Sequence, residues 1–309
     1  MPQIYNKPHL SYEDQLALLV DKGMKVTDAK RATECLERIG YYRLKPYWLP
    51  FENENGNFHV DAEFHHVVDL YVFDKRLRLT LLDAIERIEV AIRVDLAHCI
   101  GIRDVWGHRL EQHLDQQRAG RFDARAKMTN HAHWLLRADE SENSSKEPWV
   151  KDYRAEYLPP LPLWMAVELW DFGTVSRLLQ MAHPNDRHKI AKKYMVLPDT
   201  LISWVRCLNY VRNACAHHAR VWNKPLVDQP MIPKTWEAKL AQHIGAELLR
   251  QTRVYGAAAI ARYLLTIINP NSQWHMRFIA LWHEFPDIPN LGPENAGFFD
   301  GWEIEELWK

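Results

Sequence analysis

Apolar residues recur along this chain at spacings of three and four, and no series of alternating apolar and polar positions interrupts them. That period belongs to helices with one buried face. The longest example covers residues 62–100, where Leu77, Leu81, Leu82, Ile85, Ile88, Ile92 and Leu96 form one stripe. Arg76, Arg78, Asp83, Glu86, Arg87 and Arg93 occupy the other face. No proline breaks the run and Gly101 stops it, so the pattern predicts one long helix or two in tandem. Ser11 is placed to cap a helix over Tyr12–Asp21, with Asp14 in an acidic first turn; Thr27 is placed to cap a second over 28–39, closed by Gly40. Pro198 opens a helix to Ala216 with Leu201, Val205, Leu208 and Val211 on its apolar side, and another helix spans about 252–268.

Between these elements the punctuation is polar. Residues 52–57 (ENENGN) form a turn, and 41–48 (YYRLKPYW) are too aromatic for a plain linker. Residues 108–137 are polar and His-rich, and 138–146 (ADESENSSK) have the composition of a flexible loop. Asp171-Phe172-Gly173 marks a turn, and the last thirty residues are expected to be irregular up to Trp302. No internal repeat is present. The expected architecture is all-α, a single domain over residues 1–309 with an N-terminal helical arm over about 1–60 and a loop insertion near 138–147.

Composition adds that much of the core is aromatic, since the chain carries 13 Trp, 12 Tyr and 10 Phe. The opening residues lack the apolar core of a signal peptide, and no apolar stretch approaches the length of a membrane span. Cys35, Cys99, Cys207 and Cys215 form no CxxC pair, as expected of reduced thiols in a cytoplasmic protein. The net charge of −1 advertises no nucleic acid, but its distribution is uneven. From His183 to Lys224, Arg187, Lys189, Lys192, Lys193, Arg206, Arg212, Arg220 and Lys224 face only Asp186 and Asp199, a local excess of +6. From His283 onward the balance is −6. A neutral protein with one basic segment can still present an anion-binding surface, although a solvated helix face is an equal reading for any single lysine.

The chemistry-bearing stretch is VRNACAHHARVWN, residues 211–223, at the end of an amphipathic helix inside that basic segment. Asn213 and His217 are four apart and share a helix face. Arg212 and His217 are five apart, roughly 7.5 Å along the axis and about 140° around it, a gap that a long arginine can close. His217 and His218 fall near the helix C-terminus, where the macrodipole favours positive charge. RNA cleavage needs no metal, because the substrate brings its own nucleophile, the 2′-hydroxyl. The enzyme must supply a proton-transfer group, which suits histidine, and a cation on the phosphate, which suits the bidentate arginine fork.

This arrangement resembles the R-x4-6-H motif of the HEPN superfamily, with Arg212 and His217 separated by four residues. The run VRNACAHHARVWN is similar to the corresponding stretch of the Abi-like (abortive-infection, AbiD/AbiF-type) bacteriophage-resistance proteins within it. Blocks at 37–51 (ERIGYYRLKPYWLPF), 73–93 (FDKRLRLTLLDAIERIEVAIR), 164–179 (WMAVELWDFGTVSRLL) and the ending GFFDGWEIEELW also look like family blocks, whereas 108–146 does not. The resemblance implies a HEPN-type helical bundle and an anti-phage endoribonuclease without metal or other cofactor. It also implies a homodimer in which two motifs face one cleft. Arg212, His217 and Asn213 are then the catalytic candidates, and His218, Arg220, Lys192, Lys193 and Arg206 the RNA contacts. The implied partners are RNA and a second copy, with an antitoxin or regulatory RNA as a further candidate and no membrane.

Each assignment has a plainer rival. Arg212 and His217 alone would read as a structural polar cluster; the flanking blocks favour a site. Asn213 either orients His217 or the phosphate, or caps a neighbouring backbone group. Glu86, Glu89 and Arg93 form either a charged platform near the cleft or intrahelical ion pairs. Tyr41, Tyr42 and Arg43 either stack on bases or pack the arm. Zinc on Cys207 and Cys215 is disfavoured by their spacing of about 12 Å along a helix, and neither an HExxH nor a Walker sequence is present. The rival function is a catalytically silent RNA-binding or scaffold protein.

Overall fold

The structure, a computed structural model, describes residues 8–234 and 237–309 together with Ile4 and Asn6. The rest of the first seven residues of the expected N-terminal arm lie outside the described residues. The fold is all-α; the described strands are limited to a two-stranded ribbon pairing Phe122–Asp123 with Met128–Thr129.

The N-terminal arm consists of α1 (Tyr12–Asp21), α2 (Ala29–Ile39) and α3 (Tyr41–Trp48). Ser11 caps α1 as its sequence predicts: its hydroxyl accepts the Asp14 amide at 3.1 Å and donates to the Asp14 carboxylate at 2.9 Å. At α2 the cap is Asp28 and not Thr27. The Asp28 carboxylate accepts the Arg31 amide at 2.9 Å, a stronger partner for an orphan N–H than a hydroxyl one residue earlier. The aromatic stretch after Gly40 is helical, and buried Leu44, Tyr47 and Trp48 join the arm to the core.

Residues Phe64–Gly101 form one uninterrupted helix, α4, about 57 Å long at 1.5 Å per residue. Leu77, Leu81, Ile85, Ile88, Ile92 and Leu96 are buried as the stripe predicts. Arg78, read from the sequence as part of the polar face, is buried too. It forms an ion pair with Asp74 one turn earlier, and that pair is satisfied by partners from far along the chain.

Next come α5 (Gln116–Ala119), α6 (Asn130–Ser144), α7 (Pro148–Glu156), α8 (Leu163–Ala166), α9 (Phe172–Met181), α10 (Pro184–Lys193) and α11 (Pro198–Ala216). The loop expected near 138–147 is mostly helix: α6 continues to Ser144, leaving a short link before Pro148. Tertiary contacts override the composition. Ala138 and Glu142 are buried, Asp139 meets Arg109 at 2.7 Å, and the Glu142 carboxylate accepts the Leu161 amide. The serine hydroxyls donate back into the helix, Ser141 to Arg137 O and Ser144 to Glu140 O.

The chain closes with α12 (Leu248–Thr252), α13 (Val254–Ile268) and α14 (Trp274–His283). Every residue of α13 from Val254 to Leu265 is buried, so this helix runs through the centre against α4 and α11. The helix α14 was not expected from the sequence. It stacks Trp274 and Phe278 on Trp308 and so anchors the irregular, acidic C-terminal stretch by its aromatic rings. Among the described residues, no helix is long and apolar enough to cross a membrane.

Candidate active site at the end of helix α11

Helix α11 spans the residues that the sequence predicts, with Pro198 in its first turn and Leu201, Val205, Leu208 and Val211 buried. Its C-terminus is a Schellman turn. His217 is the C-cap, its amide donating to Asn213 O at 3.0 Å; His218 N donates to Cys215 O at 3.0 Å, and Ala219 N to Ala214 O at 2.8 Å. The position after the cap favours glycine because it is left-handed, yet His218 occupies it with φ +56°. Both imidazoles are thereby delivered to the surface, and the His217 ring makes no hydrogen bond or ion pair with any described residue.

Arg212, five residues before His217, has 33% of its side chain exposed and is held by two neighbours. Its Nε lies 3.8 Å from the Glu89 carboxylate, and its Nη1 donates to Asn213 Oδ1 at 3.3 Å. Asn213 in turn donates to Asn209 Oδ1 at 3.4 Å, and Asn209 sits against the start of α9 beside Gly173. Glu89, with 10% of its side chain exposed, also pairs with Arg93. Arg93 donates to the carbonyls of Val167, Glu168 and Trp170 at 2.6–3.1 Å. Glu89 and Arg93 therefore form the intrahelical ion pair, but not on a solvated face: Glu89 also holds the Nε edge of Arg212, while Asn213 accepts from Nη1. Asn209 was not singled out in the sequence, since its neighbour lies 36 positions away on another helix.

The strand of chain that follows is pinned just as firmly. The buried Asp74 carboxylate accepts the amides of Val221 at 3.1 Å and Trp222 at 2.7 Å, the Tyr47 hydroxyl at 2.6 Å, and Arg78. Burial pushes the Asp74 carboxyl up and four donors oppose it. Arg220 donates to Pro46 O, and Arg43 Nη1 to His218 O at 2.8 Å, so the arm clasps the turn from the other side.

Arg212, Asn213, His217 and His218 thus lie at the same end of α11. The other expected RNA contacts are more dispersed. Lys193 meets Asp95 at 2.7 Å, Arg206 pairs with Asp228, and Lys192 is exposed on α10. Buried Arg187 pairs with Asp115. Half of the eight cations that made the segment basic therefore face carboxylates from outside it, Asp95, Asp115, Asp228 and Glu89. Cys207 and Cys215 are buried, and burial raises both thiols, that of Cys215 to about 12. Among the described residues no three His, Cys, Asp or Glu side chains converge as a metal shell.

The Abi-like protein family profile matches residues 34–223, well over half of the chain, from α2 through the turn after the motif. The chain belongs to the Abi-like protein family. No curated protein and no solved structure matches it. Membership suggests a part in abortive-infection defence. The Abi-like match takes in Asp74, Glu89 and the 212–217 stretch, and the clasping residues Arg43 and Tyr47 as well. It ends at Asn223, so the closing GFFDGWEIEELW lies beyond it.

Proposed function

We propose that this Abi-like chain is a metal-independent endoribonuclease of HEPN type, acting in abortive-infection defence as a homodimer. The observation that carries the reading is the Arg212–Glu89 contact. A buried carboxylate holds one edge of an arginine whose side chain stays one-third exposed, five residues before an unengaged histidine.

In this reading Arg212 binds two non-bridging oxygens of the scissile phosphate and offsets the charge that builds on them. His217 removes the proton of the 2′-hydroxyl, whose oxygen attacks phosphorus. The bond from phosphorus to the 5′-oxygen breaks, and that oxygen takes a proton from an acid. One chain supplies one His217, so the acid is His217 of a second copy. Support for the dimer comes from α4. Val72, Leu79, Val90 and Val94 are exposed and lie within about 40° of one line along the helix, a sector they share with Arg76, Asp83 and Glu86. Arg93 is turned about 60° from that line, so the stripe flanks the platform under Arg212. Two copies packed through these stripes bring two motifs to one cleft.

The test is incubation with mixed RNA in EDTA, alongside light scattering. Wild type is expected to cut, and Arg212→Ala and His217→Ala to be inactive but folded. Leu79→Asp with Val90→Asp is expected to yield an inactive monomer. An active monomer would contradict the shared cleft, and intact RNA with wild type would favour a silent RNA-binding protein.

A further inference from the structure

A groove of about 1100 Å3 separates the N-terminal arm from the turn that follows α11. Tyr41, Tyr42 and Lys45 form one wall, and His218 and Lys224 the other. The hydrogen bond from Arg43 to His218 O ties the two sides together, one residue past His217. Among the described residues five cations contribute to the lining, Lys22 and Arg220 completing the set, and no aspartate or glutamate does. In a chain with 40 acidic and 39 basic residues, so large a surface without a carboxylate carries a positive potential and selects an anion.

The second feature is an aromatic platform. Tyr42 is 75% exposed, yet its ring is braced. It stands edge-on to Tyr41 at 5.4 Å, and Tyr41 stands edge-on to the buried Trp48 at 4.8 Å. Cations alone would describe a site for inorganic phosphate. A braced, uncovered ring between cations describes a base with its phosphates, and a base is available to a ring only where it is unpaired. The volume exceeds the roughly 300–1,000 Å3 of small-molecule pockets, which leaves room for a stretch of chain and not only a free nucleotide.

We infer that the groove holds unpaired nucleotides of an RNA strand, Tyr42 stacking on a base while Lys45 and Lys224 meet phosphates. Resting on the nuclease reading above, this makes the substrate of the Arg212/His217 site single-stranded. A duplex keeps its base faces stacked within the helix and offers only base edges and backbone, so its paired interior gives Tyr42 no face to stack on.

The experiment measures binding of a short fluorescent 2′-O-methyl RNA, which cannot be cut by 2′-oxygen attack. Its competitors are the same strand unlabelled and a blunt duplex built from it. The unpaired strand is expected to compete well and the duplex poorly. Tyr42→Ala is expected to weaken the unpaired strand roughly 5- to 150-fold, the range for loss of one stacked base, while Tyr42→Trp retains binding. Lys45→Ala should lower the salt dependence of binding by about one phosphate contact. Equal competition by duplex, or Tyr42→Ala binding like wild type, overturns the proposal. Cutting of unmodified RNA is scored separately. Tyr42-dependent binding without cutting rejects the nuclease and keeps the groove; cutting with Tyr42-independent binding does the reverse.

Discussion

The Asp74 carboxylate, buried in the middle of the protein, accepts the backbone amide of Trp222 at 2.7 Å and so ties the chain just past the motif to helix α4. Tyr47, Arg78 and Val221 donate to the same carboxylate. Asp74→Ala would strand four donors, one of them the buried Arg78 charge. A loss of about 3–5 kcal/mol is expected from urea unfolding, with RNA cutting lost in parallel. A variant as stable as wild type would show that this network does not position the turn.

Much of this arrangement could be read from the chain, and the limits have physical causes. The helix Pro198–Ala216 was readable because its start, its apolar period and its end are all local signals. The long helix α4 was readable for the same reason. Residues 138–146 were misread because their helix is held from outside, by Arg109 on Asp139 and by the burial of Glu142. Arg78 looked solvated because Tyr47, and the amides of Val221 and Trp222 that complete its Asp74 partner, join it only in three dimensions. At the site, the adjacency of Arg212, Asn213 and His217 was visible in sequence. The link from Glu89 to Arg212 was not, because the two lie 123 positions apart on crossing helices.

That link yields a second prediction. Glu89 holds Arg212 on one edge while Arg93 helps to neutralise the carboxylate. Glu89→Gln keeps a hydrogen-bond acceptor and removes the charge. It should lower kcat roughly 10- to 100-fold through misplacement of the guanidinium, with little change in RNA affinity. A rise in kcat would mean that Glu89 withholds Arg212 from phosphate.

His218 carries a third. Its left-handed backbone, φ +56°, lies where glycine is relaxed. His218→Gly should stabilise the fold or leave it unchanged, within about 1 kcal/mol by thermal melting, while RNA binding falls. Undiminished binding would remove His218 from the RNA contacts.

The fourth concerns pH. His108 is fully buried, neither ring nitrogen has a hydrogen-bond partner, and burial followed by the nearby Arg109 charge lowers its pKa to about 3. The unfolded chain takes up the proton near 6.5, so the stability contribution is complete above that value and is lost as pH falls toward 3. Between pH 7 and pH 5 this histidine alone should cost about 2 kcal/mol of unfolding free energy. His108→Gln should flatten that part of the profile, and an unchanged slope would locate the sensitivity elsewhere. His66 and His275, whose values burial also lowers, contribute in the same direction, and Glu142, whose carboxyl burial raises, opposes them.

The most direct measurement is the chemistry of the cut ends. A single-stranded RNA is incubated with wild-type protein in EDTA, beside the same strand carrying 2′-deoxy sugars, and the fragments are identified by mass. Attack by the 2′-oxygen leaves a 2′,3′-cyclic phosphate or its 3′-phosphate hydrolysis product on one fragment and a 5′-hydroxyl on the other, and the deoxy strand is bound but not cut. Arg212→Lys gives no product, because an ammonium cannot reproduce the planar fork. Cutting that requires Mg2+ and leaves a 5′-phosphate would contradict the account and withdraw the catalytic roles of both Arg212 and His217.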